Sequence, residues 1–143
     1  MLDWYDVFKV SIPVLLAALV WLLNEYSKRR WEQYKRKEHR YVALLDGLEG
    51  FYVGADPETA KAKKAKFIHQ LSIAWLYCPD TVITKANEFL EYVKVGVQKS
   101  DEEKEMAAGE LVICMRKDLL KGKPWLAKRT QLRASCYQHF RAT

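Results

Sequence analysis

The sequence predicts an all-α fold in two parts, a single transmembrane helix near the N-terminus and a small cytosolic helical bundle after it. Three observations predict this. Residues 7–23 (VFKVSIPVLLAALVWLL) carry one charge, Lys9, and end in ten uninterrupted apolar residues. From Tyr41 onward, apolar residues return at the three-and-four spacing of one helix face. No alternating run bounded by turn residues, the signature of a strand, occurs anywhere, and there is no internal repeat.

The apolar run reads first as a membrane span. Seventeen helical residues cover about 25 Å, against a hydrocarbon core of roughly 30 Å, so the span is short and recruits its flanks. Trp4, Tyr5, Trp21 and Tyr26 stand at its ends, where interfacial rings belong. A signal peptide wants a basic start and a small-residue cleavage site. This chain has Asp3 and Asp6 before the run and Asn24-Glu25-Tyr26 after it. A buried core helix is the competing reading, because the run is only just long enough. Pro13 is compatible with a span, since membrane helices tolerate proline. Lys9, Pro13, Leu16, Val20 and Asn24 fall near one helix face. On one reading Lys9 snorkels to the outer interface. On the other, several copies turn Lys9, Leu16, Val20 and Asn24 toward an aqueous centre.

The net charge of +6 is unevenly distributed, with its excess in residues 28–40 and in the last 28 residues. Lys28, Arg29, Arg30, Lys35, Arg36, Lys37 and Arg40 directly follow the span, and the positive-inside rule then puts the C-terminal side in the cytoplasm, with the N-terminus outside. Anionic head groups attract such residues by about 1 kcal/mol each, which makes Lys28, Arg29, Arg30, Lys35, Arg36 and Lys37 candidate lipid contacts.

The expected parts are an anchor over residues 1–27, a basic juxtamembrane helix over 28–40, a helical domain over 41–123 and a basic tail over 124–143. Asn24 to His39 lacks glycine and proline, so one helix can rise straight out of the membrane. Tyr41, Leu44, Leu45, Leu48 and Tyr52 share a face. Gly54 to Glu58 breaks the helix and restarts it, with Asp56 as N-cap and Pro57 at the first helical position. Phe67, Ile68, Leu71, Ile73, Ala74, Trp75 and Leu76 then read as core. Pro79-Asp80 starts another helix, Thr81 to Val95, closed by Gly96. Ser100-Asp101-Glu102-Glu103 has capping-box form and opens a helix through Met106, Leu111, Val112, Met115 and Leu119, ended by Gly122 and Pro124. A short last helix from Thr130 to Phe140 is an option.

Candidate chemistry is sparse. Cys78, Cys114 and Cys136 have no metal-ligand spacing with one another or with His39, His69 and His139, and they read as structural thiols. No metal or cofactor site is expected, and no small-molecule substrate. His39 and His69 read as structural. Glu88, Glu91, Glu102, Glu103 and Glu105 read as solvated. Arg133 and His139, with five residues between them, resemble the arginine and histidine of HEPN ribonucleases, in which an arginine holds phosphate and a histidine moves a proton. Ala134 replaces the polar residue usual after that arginine. A plain basic tail and a phosphate or RNA contact helped by Trp125, Tyr137 and Phe140 are the other readings.

Leu76-Tyr77-Cys78-Pro79-Asp80-Thr81-Val82-Ile83, Ala86-Asn87-Glu88-Phe89 and Gly109 to Leu119, closing in Met115-Arg116-Lys117-Asp118-Leu119, resemble a group of small bacterial membrane-anchored helical proteins. The architecture is similar to that of the membrane accessory proteins of type VI-B CRISPR systems. That resemblance implies a non-enzymatic, homo-oligomeric membrane protein, a pore or membrane-perturbing effector of antiphage defence. The bilayer, further copies of the chain, RNA and a defence partner are the partners it implies. A membrane-tethered RNA-binding or HEPN-like nuclease module is the alternative, and a membrane adaptor a third.

The charge pattern generates a topology test. A reporter fused after Thr143 is expected to behave as cytosolic, because the cationic segment holds that side in. Periplasmic activity of the fusion would overturn the reading.

Overall fold

The computed structural model describes residues 4–52, 56–122 and 130–137. Four α-helices and two short 3-10 turns are found there, and no strand occurs among the described residues. The expected all-α class is therefore observed. The first helix, α1, runs unbroken from Trp4 to Leu48, about 68 Å at the helical rise, with Pro13 inside it. A 3-10 turn, Glu49–Phe51, follows. Then come α2 (Pro57–Ala74), α3 (Asp80–Val93), α4 (Asp101–Gly122) and a last 3-10 turn, Ala134–Cys136.

The start signals work as the sequence implies. The Asp56 carboxylate accepts hydrogen bonds from the Thr59 N–H at 3.1 Å and the Thr59 hydroxyl at 3.0 Å, and Pro57 occupies the first turn of α2. Ser100 and Glu103 form a reciprocal capping box at α4: the Glu103 N–H donates to the Ser100 hydroxyl at 3.2 Å, and the Ser100 N–H donates to the Glu103 carboxylate at 3.0 Å. Gly96 follows α3 with φ of +95°, a conformation that only glycine adopts cheaply.

Only the last third of α1 belongs to the bundle. Tyr41, Leu44 and Leu48 are buried there together with Phe67, Leu71 and Ala74 of α2, Val82, Ile83, Ala86 and Phe89 of α3, and Ala108, Leu111 and Met115 of α4. The chain packs as two antiparallel hairpins, α1 with α2 and α3 with α4, closed by contacts between α1 and α4. At the α1–α2 crossing Gly47 is required: a Cβ there would fall 2.7 Å from Phe67 Cβ and 2.9 Å from the Phe67 nitrogen. Phe67 can therefore seat against α1 backbone, where it meets Phe51 and Phe89 edge-to-face at 5.5 and 5.9 Å, with Phe51 and Phe89 5.3 Å apart. Lys63 pairs with Asp46 and Glu49, and Lys66 with Asp46 at 2.6 Å, along the open edge of the same crossing.

Three expectations need correction. The stretch from Phe67 to Leu76 is not core throughout: α2 ends at Ala74, and Ile68 on it and Trp75 and Leu76 in the turn after it are exposed, because α2 touches α1 closely but α3 only slightly, and one packed side buries one stripe. His69 is exposed for the same reason, and Cys136 lies on the surface. The option of a helix over residues 130–140 reduces to the single turn Ala134–Cys136 within the described part, and His139 and Phe140 lie outside the described residues.

Among the described residues no helix is long and apolar enough to cross a membrane. The described apolar run of α1, Ile12 to Leu23, covers about 18 Å. Among the described residues no other helix packs against it, and its large apolar side chains are 51% to 68% exposed.

The close crossing yields a stability test. Gly47→Ala should destabilise the bundle by about 1–3 kcal/mol, since a methyl group is forced into backbone and Cβ atoms that cannot retreat. Val42→Ala, five residues earlier on the same helix but exposed, should stay within about 0.5 kcal/mol. Chemical denaturation of the two variants measures both, and an unaffected Gly47→Ala chain would contradict the packing.

Candidate functional site

Between the apolar run and the bundle, α1 crosses open space as a cationic arm. Among the described residues no helix packs along Asn24 to Arg36, and the cations of this stretch are distributed around the helix. Lys28, Arg29, Arg30, Lys35 and Arg36 are all exposed. Arg29 pairs with Glu25 one turn back at 3.1 Å, and the Arg30 guanidinium lies 5.5 Å from the Tyr26 ring centre. Trp31 and Tyr34 meet edge-to-face at 5.8 Å. These contacts are local to the arm, and with surface exposure they hold little energy.

Lys37 is different. Its ammonium sits 2.7 Å from the Asp118 carboxylate, and one turn later the Tyr41 hydroxyl donates to the same carboxylate oxygen at 2.7 Å. Asp118 is on α4, so two successive turns of α1 are fastened to one group on the facing helix. Arg40 adds a third tie, its guanidinium 4.1 Å from the Tyr77 ring centre. Burial, with hydrogen bonds to Asp118 and Cys78, pushes the Tyr41 phenol far above its ordinary range. Burial likewise pushes the Tyr77 phenol and the Cys78 thiol up. Tyr41 is therefore held as a hydrogen-bond donor, and Cys78 is held as a thiol, the opposite of an activated nucleophile.

This clasp joins α1 to residues 77–78 after α2 and to Asp118 of α4, at the end of the bundle where α1 enters. From sequence alone, Lys37 groups with the lipid-facing cations and Asp118 has no assigned partner. A signal is nonetheless present. Asp118 continues the stripe of Leu111 and Met115, and a carboxylate on the buried stripe of a helix requires a partner.

The remaining candidates are placed as follows. Leu16, Val20 and Asn24 are exposed and share a face of α1 with Lys9. Arg133 is exposed at the entry of the last 3-10 turn, and its companion His139 lies outside the described residues. Ala134 and Tyr137 rest on α4 at Gly109, where a Cβ would lie 2.5 Å from the Ala134 carbonyl oxygen. At the far end of the bundle Glu88, Tyr92, Glu102, Glu103, Met106 and Glu110 line a groove of about 310 Å³. Lys85 bridges Glu88 and Glu110 at 2.5 and 2.7 Å, and Lys99 pairs with Glu103 at 2.9 Å, so Glu88, Glu103 and Glu110 are held in surface ion pairs. Among the described residues no group of three His, Cys, Asp or Glu side chains could hold a metal ion.

The clasp makes a graded prediction. Tyr41→Phe removes one hydrogen bond and should cost about 1 kcal/mol, whereas Asp118→Ala strands both the hydroxyl and the ammonium and should cost about 1–3 kcal/mol. Urea unfolding of both variants and of the double variant reads the coupling, and full additivity would show that the bond is not made. In comparison with protein-family models, curated proteins and solved structures, the chain matches none.

Proposed function

We propose that the chain is a single-pass inner-membrane protein whose helical head stands on a cationic arm and drives self-association, gathering the spans of several copies. The observation that carries this reading is the N-terminal part of α1. A helix whose side chains from Ile12 to Leu23 are mostly exposed and apolar, with no helix packed on it among the described residues, has the composition of a helix solvated by lipid. The apolar sequence extends back to Val7, which brings the segment to about 25 Å, and Trp21, Tyr26 and the arm's cations supply an interfacial belt on one side. The arm then meets anionic head groups through Lys28, Arg29, Arg30, Lys35 and Arg36, while Lys37 serves the clasp.

In a gathered assembly the face of Lys9, Leu16, Val20 and Asn24 is turned to the space between spans, which is the basis for a pore or membrane-perturbing action. The span itself lacks glycine, and its small residues are Ser11, Ala17 and Ala18, so its own tendency to associate is weak and the head must supply the affinity.

Two measurements on the full chain test this. It should stay with membranes through alkaline carbonate extraction, and after detergent extraction its protein mass by light scattering should be a multiple of 16.7 kDa. A double substitution, Leu15→Arg with Leu19→Arg, adds roughly 2.5–3.5 kcal/mol of insertion cost per residue and should move the chain to the soluble fraction. Release of the parent chain by carbonate, or a monomeric mass, would overturn the reading.

A further inference from the structure

The outer side of α2, with the turn after it, carries an apolar stripe that the bundle leaves open. Ile68 and Ser72 stand one turn apart on α2, and Trp75 and Leu76 continue the same side into the turn that follows Ala74, where Trp75 keeps helical dihedral angles. Ile68 is 53% exposed, Trp75 64% and Leu76 87%. Together they leave on the order of 400 Å² of apolar surface to solvent, a size at which a patch on a monomer marks a contact site. Ser72 at the centre is small, and its hydroxyl already donates to the Ile68 carbonyl oxygen at 3.0 Å. Covering it therefore strands no polar group.

We infer that this stripe is the contact between two copies of the chain, α2 against α2 in parallel, with Ser72 facing Ser72. The inference rests on the membrane-anchored reading above and adds the surface that performs the association. In one membrane every copy points the same way, so a two-fold axis must run along the membrane normal. α2 runs back along the end of α1, with Gly50 of the turn after α1 beside Ala60 at one end and Arg40 of α1 beside Tyr77 of the turn after α2 at the other, so it stands along that axis when α1 does. A two-fold beside α2 brings the stripe onto itself in register.

Lipid is the wrong occupant. The fourteen residues from Asn24 to Lys37 lift the corner of Trp75 and Leu76 about 21 Å above the end of the apolar run, out of reach of acyl chains. The area points to a membrane-confined pair. A stable interface between free proteins buries about 800 Å² per partner, roughly twice what the stripe offers. Two copies held upright in one bilayer meet at high effective concentration and need less.

The test is cross-linking of the full chain in membranes, with the exposed Cys136 replaced by serine. Ser72→Cys should give a disulfide-linked dimer as the main species under mild oxidation, and Lys117→Cys, exposed on α4, should give little. Adding Ile68→Glu and Trp75→Ser to the Ser72→Cys chain should reduce its cross-linked dimer at least tenfold and lower the detergent-extracted mass, while the far-ultraviolet helical signal is unchanged. A multimeric mass with no cross-link from the Ser72→Cys chain would overturn the stripe and leave the proposed function standing. A monomeric mass would overturn both.

Discussion

The seating of Phe67 against Gly47 is the constraint on which the rest of the head depends. With no side chain on α1 at that point, α2 approaches until the Phe67 backbone is near van der Waals contact, and its ring becomes the centre of a three-ring cluster with Phe51 and Phe89. Phe51 comes from the turn after α1 and Phe89 from α3, so one close crossing ties three elements to a common point. The buried ends of Leu44, Leu48 and Leu71 then fill in around it. A larger residue at position 47 would push α2 outward and separate the rings by more than their contact distance tolerates.

Much of this can be read from residues. Asp56-Pro57, Ser100 with Glu103, and Gly96 are local signals whose physics is complete within four residues, and each is observed as the sequence implies. The division of α2 into a buried and an open side is not readable, because Phe67, Ile68, Leu71, Trp75 and Leu76 are equally apolar and only the position of the neighbouring helices distinguishes them. The clasp is half readable. Asp118 on an apolar stripe announces a partner, yet Tyr41 and Lys37 lie more than seventy residues away, and nothing in the sequence pairs them. Arg133 and His139 show the opposite limit, since a spacing alone produces a candidate and only Arg133 falls within the described residues.

Energetics divides the molecule into a head with a packed core and an arm with none. From Lys37 toward the C-terminus, α1 is held by burial, by the Asp118 bonds and by the Arg40–Tyr77 contact. From Arg36 toward the N-terminus, it depends on helix propensity and on near-neighbour pairs such as Glu25–Arg29, which is adequate for a helix continued at both ends by something firmer. The bundle is one such end. On the proposed reading, the bilayer is the other, and the α2 stripe sets how two heads stand together above it.

The unbroken run of α1 has a consequence for azimuth. A helix without a break fixes the rotational phase of everything along it, so the face that bears Lys9, Leu16, Val20 and Asn24 keeps a set angle to the α2 stripe. Each residue advances that angle by about 100°. The number of residues between Asn24 and Lys37 is then a clocking element: one residue more or fewer would leave head and apolar run intact and turn the same face by about 100° relative to the head.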